Sequence, residues 1–245
     1  VEARKAYFFM GDAMVCMGSG IKAARTQEVR TSVNQCLANG EVTYGLSGHT
    51  YRLTNNLSDK NIDWAYHDNV GYIFPQNESV TLRKAKQTGA WRELEVTASD
   101  KPVTKEIFSL WVSHGTTPQH EDYCYIIMPD KPLSYFTDKK FENEIKIIVN
   151  SEQIQAISNE NKRQYAAVFY EPGEIRFAED LVVAVNKKVI IYIEKKDKQY
   201  EIAVADPLYK EQSLQLSMNG EQINIVFPSG DYSGSSVIKH ITEKH

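Results

Sequence analysis

Apolar and polar positions alternate with a period of two along nearly the whole chain, the pattern of half-buried β-strands. Near the start, Tyr7-Phe8-Phe9-Met10 meets Gly11-Asp12, and Ala13-Met14-Val15-Cys16-Met17 returns toward Gly18-Ser19-Gly20. Two short apolar runs across a Gly/Asp turn predict a buried hairpin. Short strands are expected at residues 42–46, 51–53, 63–67, 72–74 and 79–83. Asn39-Gly40, Asn55-Asn56, Asp68-Asn69 and Gln76-Asn77 separate them with turn chemistry. Residues 103–113 and 123–128 form longer, more apolar runs and are expected to be central strands. Helical periodicity is nearly absent. Its best candidate, a turn or two at residues 105–110, reads better as strand.

Pro129-Asp130-Lys131-Pro132 interrupts the pattern with two prolines around two charges, and the next dozen residues are polar and punctuated. Eight short strands then follow at 145–150, 154–158, 165–170, 181–185, 189–194, 200–205, 213–218 and 222–227. Their tight connections are Asn186-Lys187-Lys188, Lys195-Lys196-Asp197-Lys198 and Asn219-Gly220. Many short strands at regular spacing predict antiparallel sandwiches. The expectation is an all-β chain in two domains, residues 1–133 and 134–245. Tyr7, Phe9, Val15, Trp64, Tyr72, Phe74, Trp111, Ile126 and Met128 are expected in the core. A surface position for Trp64 or Trp111 would point instead to a platform for sugar rings.

Composition narrows the classes. With 245 residues and 42% apolar content the chain can bury a real core. The net charge of −4 speaks against nonspecific nucleic-acid binding, which needs a basic field. It also supplies no global attraction to a polyanion, so such a ligand would need a local basic cleft. No apolar run approaches the roughly 20 residues that span a bilayer. Val1-Glu2-Ala3-Arg4-Lys5 leads into a strand rather than a leader peptide, which fits a chain cut from a longer precursor. The three cysteines, Cys16, Cys36 and Cys124, are an odd count without CxxC spacing, which argues against a disulfide framework or a Cys-type zinc site. Cys16 and Cys124 are expected to be small buried hydrophobes, and Cys36 partly exposed.

Three blocks carry a family resemblance in a fixed order. The first is the aromatic hairpin ending in Gly18-Ser19-Gly20-Ile21, followed by Arg30-Thr31-Ser32-Val33-Asn34-Gln35. The second is Asn61-Ile62-Asp63-Trp64-Ala65-Tyr66-His67-Asp68-Asn69-Val70-Gly71-Tyr72-Ile73-Phe74-Pro75. The third is Ser109-Leu110-Trp111-Val112-Ser113-His114-Gly115 with Tyr123-Cys124-Tyr125-Ile126-Ile127-Met128-Pro129. Together they resemble polysaccharide lyase family 8, the bacterial chondroitin AC, hyaluronate and xanthan lyases. Ala203-Val204-Ala205-Asp206-Pro207 resembles a V-x-D-P strand end in that family's last module. The resemblance implies the C-terminal half of a large galactose-mutarotase-like super-sandwich, followed by a small C-terminal β-sandwich. It implies that the catalytic helical domain lies before residue 1 and is this chain's partner, with an acidic polysaccharide as substrate and a secreted or periplasmic location. It implies no organic cofactor; a structural cation such as calcium is allowed in the longer protein, with no ligands identifiable here. The alternative class is a stand-alone β-sandwich carbohydrate-binding module.

Several constellations invite a catalytic reading. A uronate lyase needs a group to neutralise the carboxylate and a base for the C5 proton. His67-Asp68-Asn69 and Tyr72 supply those residue types within six positions. Asp68-Asn69 is nonetheless ordinary turn chemistry, and the spacing does not force His67 and Tyr72 together, so no catalytic residue is assigned. His114 with His120-Glu121-Asp122 has ligand chemistry, but a polar loop explains it, and no metal site is assigned. Gly18-Ser19-Gly20 lacks the Lys-Ser/Thr and helix of a phosphate loop. Ser19 lacks the strand–turn–helix context of a nucleophile elbow. Trp91, in Thr88-Gly89-Ala90-Trp91-Arg92, is the substrate-binding candidate, because a turn can leave its indole exposed. Isolated binding modules usually carry a row of such aromatics, and Trp91 is one.

Overall fold

In a computed structural model, residues 1–24, 26–76 and 78–242 are described. Their secondary structure is almost entirely antiparallel β. The chain divides into two compact units. The first comprises Val1–Ala3, Gly11–Cys16 and Ile21–Lys140; the second comprises Arg4–Met10, Met17–Gly20 and Phe141–His245.

The N-terminal hairpin is β1 (Glu2–Met10) and β2 (Ala13–Lys22), and its residues are divided between the units. In the first unit follow β3 (Glu28–Leu37), β4 (Val42–Leu46), β5 (His49–Arg52), β6 (Leu57–Lys60), β7 (Trp64–His67) and β8 (Val70–Ile73). Then come β9 (Val80–Gly89), β10 (Val103–Thr116) and β11 (Glu121–Pro129). One sheet has the order β1-β2-β11-β8-β7-β4-β5, and a second has β3-β10-β9-β6. Their facing side chains interdigitate: Cys16, Val42, Ala65, Tyr72, Tyr123 and Tyr125 from the first sheet meet Val80, Leu82, Phe108, Leu110 and Val112 from the second. Residues 105–110 lie in β10, whose period-two pattern prevails over the weak helical one. β10 pairs with β9 from Val103↔Gly89 to Val112↔Val80 and with β3 on its other side.

Two glycines make close packing affordable in this unit. A methyl group on Gly71 would lie 1.9 Å from the Phe136 ring, and one on Gly45 would lie 2.2 Å from the Trp64 indole nitrogen. Phe136 sits on a five-residue helix, α1 (Leu133–Thr137), and is fully buried. Its ring centroid is 5.9 Å from that of Trp64 and 5.5 Å from that of Tyr66. The sequence pattern predicts a polar connection here, and the structure forms a turn of helix instead. One turn with a single buried ring carries no periodic signal.

The second unit holds β12 (Lys146–Asn150), β13 (Ile154–Asn159), β14 (Gln164–Phe169), β15 (Gly173–Ala178) and β16 (Leu181–Val185). It continues with β17 (Val189–Lys196), β18 (Gln199–Ala205), β19 (Ser213–Met218), β20 (Glu221–Val226) and β21 (Val237–Thr242). A six-stranded sheet, β12-β13-β14-β17-β18-β21, and a four-stranded sheet, β15-β16-β19-β20, both contribute to one core around Phe169, Phe177, Ile191, Ile202, Val204 and Leu216. Gln155, fully buried on β13, donates to Asn150 Oδ1 at 2.7 Å and accepts from the Tyr170 hydroxyl at 2.6 Å. Ser19 in turn donates to the Ser151 carbonyl at 2.8 Å. This satisfied polar network gives the sandwich a specific packing that apolar contacts alone would not impose.

The core expectation holds for Val15, Trp64, Tyr72, Phe74, Ile126 and Met128 and fails at three positions. Tyr7 and Phe9 are exposed, and Ala6, Phe8 and Met10 are buried in their place. Four consecutive apolar residues do not say which alternate pair faces inward, and a one-residue phase error exchanges the faces. Trp111 is only half-buried, because Phe108, Leu110 and Val112 occupy the inner face of β10. β15 and β21 were also not foreseen; their apolar residues are diluted by Glu174, Arg176, Lys239 and His240.

Candidate functional site

His67 and Tyr72, the tempting acid–base pair, both lie in the core of the first unit. His67 stacks on Phe108 with centroids 4.3 Å apart, and the Tyr72 ring is 6.1 Å from the same phenylalanine. The backbone N–H of Asn39 donates to His67 Nε2 at 3.0 Å, so the ring proton sits on Nδ1, 3.8 Å from Cys36 Sγ. Burial pushes the imidazole below its ordinary range and holds it neutral. Asn34 Nδ2 donates to the Tyr72 hydroxyl at 2.5 Å, and burial raises that phenol. The fold thus brings Asn34, Cys36, His67 and Tyr72 together, an arrangement the spacing did not reveal. Each is spent on a neighbour, with His67 and Tyr72 almost wholly shielded from solvent. The cluster is built for packing rather than for reaching a substrate.

His114 is buried, with Nε2 2.8 Å from Thr31 Oγ1, whereas His120 is exposed. Among the described residues no group of three or more His, Cys, Asp or Glu side chains is arranged to hold a metal ion. Cys16 and Cys124 are buried free thiols, raised by desolvation, and Cys36 is half-buried and free. Trp91 is 61% exposed in a three-residue 3-10 turn, Trp91–Glu93, followed by the still more exposed Leu94 and Val96.

A different surface carries more coordinated chemistry. The outward residues of β3, β10 and β9 line a groove of about 270 Å³ that includes Arg30, Gln35, Arg83, Gln87, Ser109 and Trp111. The ladders explain the grouping. Arg30 lies opposite Ser113, Ser32 opposite Trp111, and Ser109 between Gln35 and Arg83. A bulge in the β3–β10 pairing beside Trp111 keeps both Ser32 and Gln35 on this face. The Arg30 guanidinium lies 4.7 Å from the Trp111 ring centroid and pairs with Glu28 at 2.5 Å. Sequence reading did not single out Arg30 or Arg83. The available signal was their place on neighbouring strands in phase with Trp111, which needs the register to be read.

The profile of "Polysaccharide lyase family 8, super-sandwich domain" matches residues 1–140, and that of "Polysaccharide lyase family 8, C-terminal beta-sandwich domain" matches residues 146–215. Chondroitinase-AC of Pedobacter heparinus is 29% identical over 97% of this chain and 35% of its own length. A hyaluronate lyase of Thermasporomyces composti is 24% identical over 92% of this chain and 29% of its own length. A solved chondroitinase AC lyase superposes with a TM-score of 0.89 at 27% identity, over 97% of this chain and 36% of that one. Paenibacillus xanthan lyase shares the fold with a TM-score of 0.77 at 21% identity, over 87% of this chain and 22% of that one. The chain spans about a third of the length of the chondroitinase it matches.

Proposed function

Since the chain belongs to polysaccharide lyase family 8, we propose that it acts as the C-terminal β-region of a lyase that cleaves an acidic, uronate-containing polysaccharide by β-elimination. The observation that carries this reading is the match to both β-domains of the family, in order, across residues 1–140 and 146–215. A free-standing carbohydrate-binding module is disfavoured by the same match. The elimination would be performed by a helical catalytic domain of the same protein, which this β-region would buttress and whose cleft it would help to wall. Removing a uronate C5 proton requires carboxylate neutralisation and a positioned base at once. His67, held neutral and shielded, and Tyr72, with its hydroxyl taken by Asn34, do not offer that pair. A chondroitin-type substrate is the first choice, supported by the identity to chondroitinase-AC. A bacterial, secreted or periplasmic setting follows from the family reading. The family reading allows a structural cation such as calcium in the longer protein, and Trp91 is a sugar-stacking candidate. Among the described residues no helix is long and apolar enough to cross a membrane.

Two measurements test the proposal. The chain alone, incubated with chondroitin, hyaluronan and xanthan, is expected to give no ultraviolet-absorbing unsaturated uronate. A chimera carrying this chain in place of the matching third of the Pedobacter enzyme is expected to cleave chondroitin. Steady product from the chain alone, lost on changing His67 or Tyr72, would overturn the assignment of catalysis to another domain. A folded but inactive chimera would overturn the supporting role.

A further inference from the structure

The groove on the outer face of β3, β10 and β9 holds hydrogen-bonding capacity that the protein itself leaves unused. Arg83 is exposed and makes no ion pair among the described residues, and the same holds for hydrogen bonds of Gln35, Gln87 and Ser109. The Trp111 Nε1–H is shielded from solvent yet has no acceptor. A buried donor without a partner is costly in a folded protein and calls for a physical explanation. Among the described residues no acidic side chain is part of the lining, and the one carboxylate bonded to it is that of Glu28, on Arg30. A groove of the second unit differs in that Glu160, Glu179 and Asp197 line it together with its cations, and Lys146 pairs with Glu160. Arg30 is preorganised as well: stacking on Trp111 holds its planar fork over the sheet, while Glu28 occupies one of its nitrogens and leaves other donors. Two guanidinium forks, two amides and a hydroxyl on a rigid three-stranded platform match a ligand with oxyanions and many hydroxyls. Guanidinium forks take carboxylate or sulfate oxygens two at a time, and amides serve ring hydroxyls.

We propose that this sheet face is an anionic-saccharide subsite, with Arg30 and Arg83 binding the carboxylate or sulfate groups and Gln35, Gln87 and Ser109 the sugar hydroxyls. It supplies the local basic surface that a chain of net charge −4 needs to hold a polyanion. The ring face of Trp111 is taken by Arg30, so the indole contributes by orienting that guanidinium rather than as a free stacking plate. The choice of saccharide rests on the lyase reading; the existence of the site rests on the groove.

The test is calorimetric titration of the 245-residue chain with three hexasaccharides: chondroitin sulfate, hyaluronan (carboxylate only) and neutral cellohexaose. Both anionic sugars are expected to bind, cellohexaose not, and a preference for the first would identify sulfate as the favoured oxyanion. Arg83→Gln and Arg30→Gln should each weaken binding on the order of tenfold, the loss of one charge-assisted fork. Arg163→Gln, in the second unit, should leave it unchanged. Thermal melts check that each variant folds. In a parallel ¹H–¹⁵N titration of the unmodified chain the Trp111 indole resonance should shift. No binding of either anionic sugar, equal binding of the neutral one, arginine variants that bind normally or a stationary Trp111 resonance would each overturn the site. An active chimera with no binding here would reject this subsite and leave the lyase reading standing.

Discussion

Glu78 carries its carboxyl group into the interior of the first unit, where Oε1 accepts the Cys124 N–H at 2.7 Å and Oε2 has no partner. Burial is the main cause that raises it, with Asp122 adding to the rise and the Cys124 N–H opposing it, and it titrates at about 7. A carboxyl raised in the folded state stabilises the fold when protonated. That contribution is full below the ordinary carboxylate range and is lost as pH climbs through about 7. The shift corresponds to about 3 kcal/mol across that window. Glu78→Gln keeps an acceptor for Cys124 and cannot ionise. Its melting temperature is therefore expected to exceed that of the unmodified chain at pH 8 and to match it near pH 4. Equal pH profiles in a calorimetric series would refute this. Asp206 is the opposite case. Burial opposes its ionisation, but the N–H groups of Leu208, Lys210 and Glu211 converge on its carboxylate at 2.7 to 2.9 Å and outweigh it, lowering its titration. Its contribution is present at neutral pH and lost as pH falls through the lowered value. Asp206→Ala should cost about 2–3 kcal/mol in urea unfolding at pH 7, and less below pH 3.

At the scale of elements, β7 and β8 and helix α1 form one packed unit. The Phe136 ring, packed against those of Trp64 and Tyr66, lies over Gly71 and leaves no room for a Cβ there. Gly71→Ala should therefore destabilise by about 1–3 kcal/mol through overpacking. Combining it with Phe136→Leu should cost less than the sum of the two changes, because the second substitution removes the clash. Additive losses in a double-mutant cycle would place the strain elsewhere. Trp64→Ala, by contrast, empties a site that is only 3% exposed and should cost on the order of 3–5 kcal/mol.

For the whole molecule, β1 stands at the end of its sheet order, and its outward Tyr7 and Phe9 are 54% and 75% exposed. An open strand edge with large apolar side chains is a template for association. The chain by itself is expected to self-associate at high concentration. Phe9→Lys should suppress this in sedimentation equilibrium while changing unfolding free energy by less than about 0.5 kcal/mol, as surface substitutions do. Unchanged association would remove β1 as its cause.

What the sequence determined by itself was the class of structure and most of its parts. Period-two alternation with Gly, Asn and Pro punctuation is a local property, so β4, β7, β10, β11 and most strands of the second unit are legible without any contact. The blocks around Gly18, Trp64 and Trp111 likewise carry the family in their residues alone. Tertiary structure decided everything that depends on which face turns inward and which strands lie side by side. The phase of β1, the half-exposed position of Trp111 and the turn of helix under Phe136 are set by packing partners distant in sequence. The same holds for the candidate sites. His67 and Tyr72 look reactive in a linear reading and are consumed in the core, whereas Arg30 and Arg83, 53 positions apart in the numbering, look ordinary until β10 places them on one face. A strand's side-chain period is written in its own residues; its register is settled only by the free energy of burying one face against another.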